Sequence, residues 1–72
     1  MMPYGNIAGN SGVMAYEIAV DRISVQFIDG KVYVYTYASA GKKAIERMKR
    51  LALSGRGLST FISTAVRDKF ER

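Results

Sequence analysis

Between Val13 and Tyr37 apolar side chains recur at every second position, and beyond Tyr37 they recur at the spacing of an α-helix. This change of period is the strongest constraint on the fold, because a strand shows alternate residues to one face whereas a helix shows i, i+3, i+4 and i+7. Met14, Tyr16, Ile18 and Val20 alternate with Val13, Ala15, Glu17 and Ala19, predicting a first strand. Asp21-Arg22 makes a short turn. Ile23, Val25 and Phe27 alternate with Ser24 and Gln26, predicting a second strand with one apolar and one polar face. Asp29-Gly30 is a hairpin signal, since type I′ turns need positive φ at both central positions. Lys31–Tyr37, rich in β-branched and aromatic residues, predicts the third strand.

Ser39 is the predicted N-cap of a first helix. Ala44, Ile45, Met48, Leu51 and Ala52 form its apolar stripe, with Lys42, Lys43, Arg47, Lys49 and Arg50 on the opposite side. Gly55 supplies the left-handed C′ position that ends it. A second helix follows, capped by Ser59 or Thr60, with Leu58, Phe61, Ile62, Ala65, Val66 and Phe70 as its buried stripe. The expected architecture is α+β: a three-stranded antiparallel β-meander followed by two amphipathic helices packed on one face. Residues 1–12, punctuated by Gly5-Asn6, Gly9-Asn10 and Ser11-Gly12, read as a flexible N-terminal arm. Residues 13–72 read as a single domain.

Composition limits the chemistry. A domain of 72 residues buries only about 60% of the surface its unfolded chain exposes, so its core is small. The chain has no cysteine and no histidine, which removes disulfides, thiolate zinc sites, histidine triads and the ordinary proton shuttle. Its six carboxylates form no short-spaced pair outside the C-terminal turn. A non-catalytic protein without cofactor or metal is therefore expected, and oligomerisation is the remaining way to supplement the core. No apolar run approaches the roughly 18 residues of a membrane span, and no signal peptide is visible, so the expected location is cytoplasmic.

The charge of +5 is uneven along the chain. Residues 1–38 carry Arg22 and Lys31 against Glu17, Asp21 and Asp29, whereas residues 39–72 carry nine basic residues against Glu46, Asp68 and Glu71. Lys42, Lys43, Arg47, Lys49, Arg50 and Arg56 fall together, opposed only by Glu46. Such clustering suits a polyanion or phosphate-bearing partner, or else a solvated face. Lys42 and Lys43 oppose the helix dipole, a repulsion that a phosphate would relieve. Arg56 and Gly57, with the hydroxyls of Ser59 and Thr60 at a helix N-terminus, form a second candidate anion site. The alternative there is a helix exit, a turn and a cap.

Tyr33, Tyr35 and Tyr37 share one side of the third strand, and the hairpin loop decides which side. A two-residue Asp29-Gly30 loop opposes Gln26 to Tyr33 and Ser24 to Tyr35, placing the tyrosines on the polar face. A three-residue loop with a bulge at Gly30 would bury them with Val25 and Phe27. Asp-Gly favours the shorter loop, so an exposed row is the expectation, with base stacking or a subunit interface as its uses. The other reading is a core edge with the hydroxyls wet.

The ordered set Ser11-Gly12-Val13, Tyr16-Glu17, Ile23-x-Val25-x-Phe27, Asp29-Gly30 and Tyr33-x-Tyr35, followed by Met48-Lys49-x-Leu51-Ala52, Gly55-x-Gly57-Leu58-Ser59-x-Phe61-Ile62, Val66 and Phe70, resembles the KTSC family, named after the C-terminal domain of some lysyl-tRNA synthetases. The similarity spans about Ser11–Phe70. It departs at Ser59, where many members have asparagine, and at Phe70, where tyrosine is usual. The resemblance implies a small α+β domain, often stand-alone in bacteria or phages, and suggests RNA binding. Three functions compete: binding of RNA or single-stranded nucleic acid, an oligomeric sponge for a small nucleotide such as a cyclic nucleotide signal, and a protein–protein interaction module.

Overall fold

A computed structural model describes residues 1–5 and 12–71. Its strands are β1 (Met2–Pro3), β2 (Val13–Ile18), β3 (Arg22–Phe27) and β4 (Val32–Thr36), joined antiparallel in the order β1-β2-β3-β4. The helical half comprises α1 (Tyr37–Ala40), α2 (Lys42–Ser54) and α3 (Leu58–Phe61), which loosens into a π-helical segment over Ile62–Val66. The α+β class is as expected, but the sheet has four strands rather than three. The extra strand lies in the supposed flexible arm. Met2 pairs with Tyr16 and Pro3 with Ala15, and Tyr4 N–H donates to Met14 O at 2.9 Å. A two-residue strand leaves no alternation to detect, and Pro3 is tolerated because β1 is an edge. Tyr4 anchors the segment: it is 6% exposed and belongs to the core. The turn dipeptide Gly9-Asn10, Asn6 and Ser11 lie outside the described residues.

The β3–β4 hairpin overturns the expected register. Gln26 pairs with Val32, Val25 with Tyr33 and Ile23 with Tyr35. The loop is therefore three residues, Ile28 to Gly30, closed by Gly30 N–H to Phe27 O and Phe27 N–H to Lys31 O, each 2.9 Å. Gly30, at φ 89°, takes the bulge position, and the Asp29 carboxylate accepts from Lys31 N–H at 3.0 Å. Tyr33 and Tyr35 consequently face the helices rather than solvent. Burial sets this parity, since the shorter loop would have left two aromatic rings on the polar side. Tyr37 leaves the row altogether and opens α1.

A bulge between Val13 and Ala15 breaks the alternation of β2, so Val13 reaches the buried face that Tyr16 also occupies, and Met14 is exposed. Ile45, Met48 and Ala52 of α2 pack into that face with Ile23, Val25, Tyr35, Leu58, Ile62 and Val66. Ala44 and Leu51 flank the stripe, as the helical spacing predicted. The caps differ from expectation. Thr36 rather than Ser39 caps α1: Ser39 N–H donates to Thr36 Oγ1 at 3.0 Å, and Thr36 N–H donates to Ser39 Oγ at 2.9 Å. This reciprocal pair is a capping box. Gly55 ends α2 at φ 77°, as expected. Neither Ser59 nor Thr60 caps α3; Gly57 precedes it, and the first N–H goes to a side chain from the other end of the chain. Ala65 is exposed rather than buried, because the helix changes pitch after Phe61, with Arg67 N–H bonding Ile62 O at 2.6 Å. Among the described residues no helix is long and apolar enough to cross a membrane.

Arg67 ends this helix at φ 43° and ψ −109°. These are the dihedrals of the first central position of a type II′ turn, closed by Lys69 N–H on Val66 O at 2.7 Å. Glycine is preferred there, and a side chain costs about 1–3 kcal/mol. Arg67→Gly forfeits the exposed Nε bond to Ser63 O and adds unfolded-chain entropy of about 0.5–1 kcal/mol. A net gain of about 1 kcal/mol is expected, raising the melting midpoint by about 4–8 °C. Arg67→Ala, which keeps Cβ, should show no gain; a glycine variant no more stable than the alanine one contradicts the strain.

Candidate nucleic-acid interface

The basic helix carries two different groups of cations. Lys49 is largely buried at its side chain, 15% exposed, and bound: its Nζ donates to Glu46 Oε2 at 2.9 Å and to Val20 O at 2.8 Å. The same Glu46 oxygen accepts from the Tyr37 hydroxyl at 2.6 Å, and the Tyr37 ring has Lys49 Nζ at 5.5 Å and Lys42 Nζ at 6.0 Å from its centre. Lys49 thus fastens α2 to the β2–β3 turn and is not part of a free basic face. Lys42 lies beside this cluster. The repulsion it suffers in the first turn of α2 is offset in part by the aromatic face.

The cluster titrates at both ends of the pH scale. The Tyr37 hydroxyl, and next the Lys49 ammonium, hold the Glu46 carboxyl below its ordinary 4.5. The bond to Glu46 in turn raises the Tyr37 phenol above 10.0 and the Lys49 ammonium above 10.5. For the depressed group the stabilisation is complete above 4.5 and is lost as pH falls through the lower folded value. For the raised groups it is complete below their ordinary values and lost as pH rises through the higher folded ones. Thermal melts of the wild type and Glu46→Gln should therefore differ by a constant amount between those limits, and the difference should shrink in acid. A difference that does not shrink as the pH falls below 4.5 refutes the assignment.

Lys43, Arg47 and Arg50 form the second group. Their spacing, i, i+4 and i+7, puts them on one face of α2 with about 5–6 Å between successive Cβ atoms. All three are exposed, and among the described residues none has a carboxylate within ion-pair distance. With Ala44 and with Phe61 of α3 they line a groove of about 340 Å³. The sequence pattern assigned Phe61 to the core. It packs against the core but is only half-buried, while its neighbours Leu58 and Ile62 are buried. Nothing in the helical spacing distinguishes Phe61 from its buried neighbours; the difference appears only in the packed structure.

The other predicted residues do not converge on this groove. Arg56 is exposed on the link between α2 and α3, Gly57 precedes α3 at φ 81°, Ser59 is half-buried and Thr60 exposed. The anion cradle expected at that helix start is compromised, because Leu58 N–H donates to the Tyr4 hydroxyl at 3.2 Å. Thr60 O accepts from the hydroxyls of Ser63 and Thr64 at 3.1 and 2.8 Å. Tyr35 is 1% exposed and donates to Arg67 O at 3.2 Å; burial pushes its phenol up to about 12. Tyr33 sits between Phe27 and Phe70, with ring centres 5.6 and 4.6 Å away, and lines a separate apolar pocket of about 440 Å³ with Ile62 and Tyr35. Neither tyrosine forms an exposed aromatic row.

Fold and groove together define a small α+β domain with one cationic, aromatic-walled face. Comparison with protein-family models, with curated proteins and with solved structures yields no match for the chain.

Proposed function

We propose that the protein is a non-catalytic binding domain for a nucleic-acid strand, RNA or single-stranded DNA, held through the phosphates by Lys43, Arg47 and Arg50. One observation carries the reading. Three exposed cations line a single groove, and among the described residues none has a carboxylate within ion-pair distance. A merely solubilising face has no need to exclude opposite charge, whereas interspersed charges are the usual surface. Lys42 and Arg56 extend the positive field at either end of α2 without lining the groove.

The test is the salt dependence of binding of a labelled single-stranded oligonucleotide to the full chain, measured by fluorescence anisotropy. Each phosphate contacted by a cation contributes about −0.7 to the slope of log K against log salt. Three contacts predict a slope of about −2. Affinity that stays flat between 50 and 200 mM salt refutes the proposal.

A further inference from the structure

The groove has a feature that phosphate binding alone does not require. Phe61 forms one wall of it, beside Lys43, Arg47 and Arg50. Of the three phenylalanines, Phe27 and Phe70 are both engaged with the Tyr33 ring. Phe61, among the described residues, pairs with no aromatic ring, and it is only half-buried although the side chains one turn behind it and next to it are sequestered.

We propose that Phe61 is a base-stacking platform, so that the occupant of the groove is an unpaired strand with a base laid on this ring. The inference rests on the nucleic-acid reading above and narrows it. In a duplex the π faces of the bases are consumed by stacking, and a protein meets only phosphates, sugars and base edges. An aromatic wall among cations gains nothing from such a surface. An unpaired strand offers both partners at once, phosphates to the three cations and a base face to the ring, and this combination tolerates any sequence. The guanidinium planes of Arg47 and Arg50 add a second kind of stacking surface in the same groove. An acidic polypeptide would satisfy the cations but has no use for the ring.

The experiment compares a labelled single strand, a duplex of the same length and polyglutamate as ligands of the full chain. Its variants are Phe61→Leu, which keeps an apolar side chain, and Phe61→Trp, which keeps a ring. The expected results are tighter binding of the single strand than of the duplex by the wild type, and a loss of about five- to 150-fold for the single strand in Phe61→Leu. Duplex binding and the salt slope should not change. The chain has no tryptophan, so Phe61→Trp places one fluorophore in the groove. It should retain single-strand affinity and be quenched on binding. If the wild type binds single strand and duplex equally, or if Phe61→Leu binds the strand as tightly as the wild type, the platform is refuted while the basic groove stands. If polyglutamate binds as well as the oligonucleotide, or if no oligonucleotide binds, the nucleic-acid reading fails and the platform fails with it.

Discussion

Replacing Lys43, Arg47 and Arg50 together by alanine is expected to flatten the salt dependence of oligonucleotide binding and to lower affinity about 100-fold at low salt. The magnitude follows from the contacts removed. Allowing about 1 kcal/mol for each exposed ionic contact, three amount to about 3 kcal/mol, a factor on the order of 100. A slope of about −2 means that the wild type loses about twentyfold in affinity between 50 and 200 mM salt, and the variant should lose almost none of its residual binding over that range. The fold should survive, because the three side chains are exposed and their charges are unpaired among the described residues. Alanine is a better helix former than any of them, and Lys43→Ala also removes an adverse charge from the first turn of α2. A variant that melts like the wild type but binds with the same affinity and slope would show that the groove is not the interface.

Tyr35→Ala should be the most damaging single substitution to stability. Tyr35 is among the largest fully buried side chains; its ring meets Phe70 edge-on at 6.1 Å and its hydroxyl satisfies Arg67 O. Truncating a buried aromatic to alanine costs about 3–5 kcal/mol, and leaving the Arg67 carbonyl unpaired adds about 1 kcal/mol. A chain of this length has a total stability of about 4–11 kcal/mol, at about 0.05–0.15 kcal/mol per residue, so the variant should lose between about a third and all of it. Tyr35→Phe, which keeps the ring, should lose only about 1 kcal/mol. Urea unfolding followed by circular dichroism measures both. The pair also tests the hairpin register: with the two-residue loop Tyr35 would lie on the polar face, and Tyr35→Ala would cost little more than Tyr35→Phe. A small loss for both would overturn the register.

The second half of the fold was legible because its signals are local. Ile45, Met48 and Ala52 recur at the spacing that buries them, and Gly55 takes the left-handed turn its position required. The alternation of Ile23, Val25 and Phe27 likewise named the inner face of β3. The misreadings share a different origin. Asp29-Gly30 is compatible with two loops that differ by one residue, and only the packing of Tyr33 and Tyr35 under the π-helical segment selects between them. Tyr4 looked like part of an idle arm because its partners, Met14 O and Leu58 N–H, are distant in sequence. Its hydroxyl occupies the helix start that Gly57, Ser59 and Thr60 were expected to offer an anion.

The opening change of period, together with the short turns at Asp21-Arg22 and Asp29-Gly30, determined that this chain forms an antiparallel sheet followed by amphipathic helices, and it placed the excess positive charge on the first long one. Periodicity and turn length suffice for this because they depend only on backbone geometry and on burying one face of each element. Which cations remain free, which face the tyrosines take and which aromatic emerges beside the charge were decided by tertiary structure alone. Glu46 and Tyr37 withdraw Lys49 from the basic face, loop parity turns Tyr35 inward, and the packing of the helices leaves Phe61 half-buried beside the groove. Each outcome depends on contacts between elements, and no local pattern carries that information.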